Sequence, residues 1–179
     1  MMDRPLPEIV HAAHRRASDA GFVLSCEPGV GRLLGALAAA VPPTGRILET
    51  ATGVGCAWFV HGLAGRTDVE VVSVEIDPAA AIAAMGDWPP WVTLRTADVL
   101  GLYPCIGTFD LTFADSPGGK WAELDRAIAA LGPGGVLLVD DMDPPAWMND
   151  EHRVKTGEVR EILLAHPGLL AAKLASRAG

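Results

Sequence analysis

Lysine is scarce in this chain. Only Lys120, Lys155 and Lys173 occur among 179 residues, and 14 Lys and Arg stand against 22 Asp and Glu, a formal net charge of −8. That balance argues against a nucleic-acid backbone as the principal partner, because such binding is driven by a clustered excess of basic side chains. No run of about 18 apolar residues occurs, so no membrane-spanning helix is expected. The first 16 residues carry charges and histidines without a continuous apolar region, which argues against a secretory signal. Cysteine is nearly absent. Cys26, Cys56 and Cys105 are odd in number, widely spaced and free of any CxxC pattern, as expected of reduced thiols in a cytoplasmic protein.

Repeats, low-complexity tracts and linkers are also missing. Half the residues are hydrophobic, and the length suits one full core rather than two. The expectation is a single domain over residues 1–179, with an N-terminal helical cover (1–45) on an α/β core (46–179).

In chain order, residues 5–20 read as a weakly amphipathic helix closed by Gly21. Val30, Leu33, Leu34, Leu37, Ala38 and Val41 fall at helical spacing before Pro42-Pro43 stops them. From Arg46 the period changes. Apolar runs of strand length occupy residues 46–50, 69–74, 92–95, 109–114 and 135–139, nearly continuous as in strands buried on both faces of a parallel sheet. Helical patterns at 54–64, 78–85 and 122–131 lie between them, and the crossover 99–108 has room for only a turn or two of helix. A last helix is expected at 151–165, with Val154, Val159, Ile162 and Leu163 inward, and a sixth strand at 169–175. Alternating strand and helix predicts an α/β, Rossmann-like doubly wound, mostly parallel sheet with helices on both faces.

Each of the first five strands ends in an acid: Glu49, Glu75 with Asp77, Asp98, Asp115, and Asp140 with Asp141. Ligands of such sheets bind at the carboxyl ends of the strands, so these groups converge on one rim. Asp77 and Asp98 singly are equally well read as helix N-caps; the whole set reads as a site for a cation or for hydroxyl donors. After the first strand, Glu49-Thr50-Ala51-Thr52-Gly53-Val54-Gly55 is a glycine turn into a helix. A turn that holds a dinucleotide directs helix N–H groups at pyrophosphate. Glu49 would repel that anion and attract an ammonium.

Joined to Val-Glu-Ile-Asp-Pro (74–78), Phe-Asp-Leu-Thr-Phe-Ala-Asp (109–115) and Leu-Gly-Pro-Gly-Gly-Val-Leu-Leu-Val-Asp-Asp (131–141), this turn resembles the class I methyltransferases that use S-adenosyl-L-methionine, and more narrowly the catechol and caffeoyl-CoA type O-methyltransferases. The resemblance runs from about residue 25 to residue 141. It implies a methyltransferase moving a methyl group to a small phenolic or catechol-like acceptor, with no nucleic-acid or membrane partner. By the same resemblance Glu49 sits near the methionine ammonium, Ala51, Thr52, Gly53 and Gly55 line the turn, Glu75 takes the ribose hydroxyls, and Asp98 and Val99 flank the adenine. Asp115 borders both cofactor and acceptor, and Ser25 and Cys26 lie in a segment that covers the cofactor. In the family's metal-dependent branch a divalent cation, Mg²⁺ or another, is held at the positions of Asp115, Asp140 and Asp141.

The chain departs from the pattern in four places. Ala51 replaces the first glycine of the turn. Gly118 stands where the family often has a lysine, with Lys120 two residues later. Asp140-Asp141 replaces an Asp-Asn pair, and the seventh strand is missing, leaving an edge that a homodimer partner or the N-terminal segment would cover. Asp115 and Lys120 are the catalytic candidates, although Lys120 reads more readily as a solvated lysine at a helix start than as a displaced base. Trp88, Trp121 and Trp147 read as core or rim packing, with an aromatic wall for a planar acceptor as the alternative. His11, His14, His61, His152 and His166 read as structural or surface residues. Two other functions remain open. Gly53-x-Gly55 followed by Glu75 partly fits a nicotinamide oxidoreductase, although the third glycine position is Trp58. Gly118 and the missing strand fit a non-catalytic S-adenosylmethionine-binding module.

Overall fold

A computed structural model describes residues 5–22, 26–142 and 149–174. Two helices, α1 (Glu8–Asp19) and α2 (Pro28–Ala40), precede β1 (Arg46–Thr50), α3 (Val54–Gly62), β2 (Glu70–Glu75), α4 (Pro78–Ala84), β3 (Val92–Thr96) and α5 (Val99–Leu102). Then come β4 (Phe109–Ala114), a kinked turn α6 (Pro117–Lys120), α7 (Leu124–Ala129), β5 (Leu131–Val139) and α8 (Asp150–Ala165). All strand pairs are parallel, in the order β3-β2-β1-β4-β5. The chain winds outward from β1 to β3, then crosses back to place β4 on the other side of β1. The crevice between the carboxyl ends of β1 and β4 is therefore the switch point, where doubly wound sheets take their ligands.

Alternation along β1 builds both layers. Ile47 packs with Val10, Leu34, Ala38, Trp58, Phe59, Val71 and Phe113 under α1, α2 and α3. Leu48 packs on the opposite face with Val72, Val99, Tyr103, Ile106 and Ala127. Helices α2 and α3 approach so closely that a Cβ on Gly62 would overlap the Gly35 backbone. At the amino end of the sheet, Arg46 locks β1 in place. Its Nε pairs with Glu70 Oε2 at 2.6 Å, its N–H donates to Asp110 Oδ2 at 2.8 Å, and its guanidinium donates to the Ile106 carbonyl at 2.9 Å. The opposite end is left free for polar groups.

Three expectations require correction. Continuous burial holds for β1, β2 and β4, whereas β3 and β5 are half-buried edges. No strand forms in residues 166–174, and Leu170 and Leu174 are exposed. In α8, Val159 is buried but Val154 and Ile162 face outward, and Thr156 takes an inward place beside Val159. Outside these, the strand and helix expectations hold to within a few residues, apart from β5, which begins four residues early, at Leu131.

Candidate functional site

The crevice begins where β1 runs out. Ala51 adopts φ +78°, a left-handed conformation costly for a residue with a Cβ. It is held there by its N–H bond to the Val74 carbonyl at 2.9 Å. The turn thus keeps a glycine-type backbone without the glycine. It delivers the Thr52 N–H to Glu75 Oε2 at 3.1 Å and the Thr52 hydroxyl to Ser73 Oγ at 2.8 Å. Ser73 in turn donates to Glu49 Oε2.

Glu49 is 1% exposed, and its other oxygen, Oε1, has no hydrogen-bond partner. Burial drives its pKa up to about 8; the Ser73 bond opposes the rise, Asp115 adds to it, and the backbone amides of Cys56 and Gly53 oppose it. Oε1 lies against Gly55, where a Cβ would overlap it. A buried, unpartnered acceptor at a ligand crevice costs about 1–3 kcal/mol when left so. Its chemistry fits a cationic donor such as an ammonium.

Glu75 stands next to it at the end of β2, 8% exposed. Its two oxygens accept the Thr52 and Asp77 N–H groups, at 3.1 and 2.9 Å. Each oxygen keeps a second lone pair, so the fixed carboxylate is able to receive two hydroxyl donors. Asp77 and Asp98 cap α4 and α5 through the N–H groups of Ala79 and Leu100, both at 2.9 Å. Glu49, Ala51, Thr52, Gly53, Gly55, Glu75, Asp77 and Asp115 share one cavity of about 1680 Å³. Asp98 and Val99 do not line it: Asp98 is exposed, and Val99 is buried under Gly118.

On the far wall, Asp115 and Asp141 come together around a lysine, with Asp140 next to Asp141 in the chain. Lys120 is not the solvated residue expected from its neighbours. Its side chain is 3% exposed, and Nζ lies 3.5 Å from Asp115 Oδ1 and 3.2 Å from Asp141 Oδ2. Burial raises the Asp115 pKa to about 7, against the pull of Lys120, while Asp140 and Asp141 push it further up. Asp140 is also shifted upward, chiefly by burial, and its Oδ1 accepts the Asp141 N–H at 2.8 Å. Among the described residues, no three His, Cys, Asp or Glu side chains form a group able to hold a metal ion. With an ammonium between two of the three expected ligands, this donor set does not fit a divalent cation.

Among the described residues, Trp88 and Trp121 do not form an aromatic wall. Trp88 donates to the Ala84 carbonyl at 3.0 Å and carries Arg16 over its ring, whereas Trp121 meets His152 edge-on at 5.2 Å. Ser25 and Trp147 lie outside the described residues. Cys26 is buried and lines the cavity, with its thiol pKa raised chiefly by burial and then by Glu49. Two contributors were missed from sequence, Ser73 and the buried state of Lys120. Ser73 left a signal, a lone hydroxyl in the apolar run Val71-Val72-Ser73-Val74, which parallel register sets opposite Glu49.

No protein-family model matches the chain, and no curated protein resembles it in sequence. Solved structures do share its architecture. A Corynebacterium glutamicum protein aligns at 21% identity with a TM-score of 0.79, over 96% of this chain and 87% of its own. A cofactor-bound protein from MTB aligns at 25% identity and TM-score 0.75, over 91% and 80%. An O-methyltransferase from Bacillus cereus, solved in complex with SAH, aligns at 19% identity and TM-score 0.75, over 93% and 83%. The chain therefore shares the fold of these proteins, a Rossmann-like parallel sheet flanked by helices.

Proposed function

We propose that this protein is an S-adenosyl-L-methionine-dependent methyltransferase acting on a hydroxyl of a small, phenol-like acceptor. The observation that carries this reading is Glu49, buried at the switch point with Oε1 unpartnered and Glu75 fixed beside it. A carboxylate there disfavours a pyrophosphate and so the nicotinamide alternative; an ammonium would complete it. Glu75 would take the ribose hydroxyls. The SAH-bound O-methyltransferase of the same fold supports the same ligand class.

When bound, the cofactor would supply a sulfonium methyl whose carbon–sulfur bond can break with the electron pair leaving on sulfur, so that the methyl goes to the acceptor oxygen. The hydroxyl proton must leave, and Asp115, on the cavity wall with a pKa near 7, is matched to receive it at neutral pH. The remaining contribution is alignment of acceptor and methyl by the crevice walls. We also place a homodimer contact along the outer edge of β5, which pairs with no strand among the described residues and exposes Val136.

The test is a thermal-shift comparison of S-adenosylhomocysteine with NADH, followed by methyl transfer to a panel of phenols and catechols. A higher Tm with the first ligand alone, together with transfer, is expected. Stabilisation by NADH alone would overturn the reading, and binding without transfer to any acceptor would leave a cofactor-binding module.

A further inference from the structure

We propose that Lys120 is a built-in replacement for a divalent cation: its ammonium sits against Asp115 and Asp141, two of the three carboxylates a metal there would need, excludes metal ions from them, and frees the site from any metal requirement. The exclusion stands on geometry alone, and its consequence for methyl transfer rests on the function proposed above. The turn α6 is shaped to bury this side chain. Gly118 leaves helical geometry at ψ 115°, and Gly119 turns left-handed at φ +86°. The loop is then closed by the bond from the Gly119 N–H to the Ala122 carbonyl at 2.8 Å. A Cβ on Gly119 would strike the Tyr103 hydroxyl, and one on Gly118 would strike Val99. Two glycines are therefore needed to bring Lys120 inward, onto carboxylates 5 and 21 residues away in sequence.

Burying an ammonium without counter-charge is strongly unfavourable, so the side chain is kept at 3% exposure by the Asp115 and Asp141 carboxylates that flank it. The converse holds as well. An oxygen-ligated divalent ion sits about 2.0–2.6 Å from its ligands. An ion bridging Asp115 Oδ1 and Asp141 Oδ2 would have to expel Nζ from between them.

Mn²⁺ is the probe. The full chain, freed of metal with EDTA, is titrated with Mn²⁺ by calorimetry, and so are Lys120→Met, Lys120→Arg and Asp141→Asn. The wild type and Lys120→Arg are expected to bind no Mn²⁺ at micromolar concentrations. Lys120→Met, which keeps the apolar stem and removes the charge, is expected to bind about tenfold more tightly or better. Micromolar binding by the wild type that Asp141→Asn abolishes would overturn the proposal, even if Lys120→Met failed to fold. So would a folded Lys120→Met with no gained affinity. If transfer is detected, EDTA is expected to leave its rate unchanged, and a rate restored only by Mn²⁺ or Mg²⁺ would also overturn it. Failure of all transfer would sink the methyltransferase reading while the titrations still decide the exclusion.

Discussion

Glu49 and Ser73 are register partners on adjacent parallel strands, and the Ser73 hydroxyl donates to Glu49 Oε2. One strand pairing thus positions the most buried acid in the crevice and moderates the rise in proton affinity that burial causes.

The first prediction follows from that affinity. The Glu49 pKa is raised from 4.5 to about 8, chiefly by burial. Between those values the folded state holds a proton that the unfolded state has released. The group's contribution to stability is therefore full below pH 4.5 and is lost as pH rises towards 8. Ligand-free protein should show a Tm that falls across this window, and Glu49→Gln should remove that part of the slope. Affinity for S-adenosylhomocysteine should move oppositely, rising with pH as Glu49 ionises, and Glu49→Gln should weaken it about tenfold to hundredfold. A pH-independent affinity in the wild type would show that Glu49 does not meet the ammonium.

Ser73→Ala tests the partner. Removing a donor that favours the ionised form should push the Glu49 pKa further up, so the affinity–pH curve shifts to higher pH while its plateau is kept. The loss of the buried bonds to Glu49 and Thr52 should cost about 1–3 kcal/mol in denaturant unfolding. An affinity curve superimposable on the wild type would assign Ser73 to packing alone.

How far the site was legible depended on whether its cause was local. Glu49, Glu75 and the glycine turn are adjacent to their strands in sequence, so finding the strands located them. The run 169–175 misled because composition says which residues would suit a strand, not whether an edge accepts one; here Leu170 and Leu174 are left exposed. The start of β5 was hidden for the opposite reason. Gly132-Pro133-Gly134-Gly135 reads as a loop, yet Leu131 pairs with Phe109 before an irregularity resumes the ladder at Leu111 and Val136. The burial of Lys120 depends on the Gly119 turn and on Asp141, 21 residues further along the chain, and no local pattern encodes it.

Ala51 offers a test of strain. At φ +78° an alanine costs about 1–2 kcal/mol, and Ala51→Gly relieves this at a cost of roughly 0.5–1 kcal/mol in unfolded-chain entropy. The substitution should leave stability level or raise it by about 1 kcal/mol, with ligand affinity unchanged. A marked loss of stability would mean that the alanine methyl packs to a benefit larger than the strain.

Asp115 carries the last prediction. Its pKa near 7 is set by burial, lowered by Lys120 and raised by Asp140 and Asp141. As the proton acceptor it works only when ionised, so the rate of methyl transfer should climb as pH passes through about 7 and level off above it. Asp115→Asn keeps the shape, cannot accept the proton, and leaves Lys120 with Asp141 as its remaining carboxylate partner. Its rate should drop about 10²–10⁴-fold and lose that rise, with affinity for S-adenosylhomocysteine changed far less. A variant whose rate falls but whose pH profile keeps the same midpoint would exclude Asp115 as the base, because the titrating group would still be present.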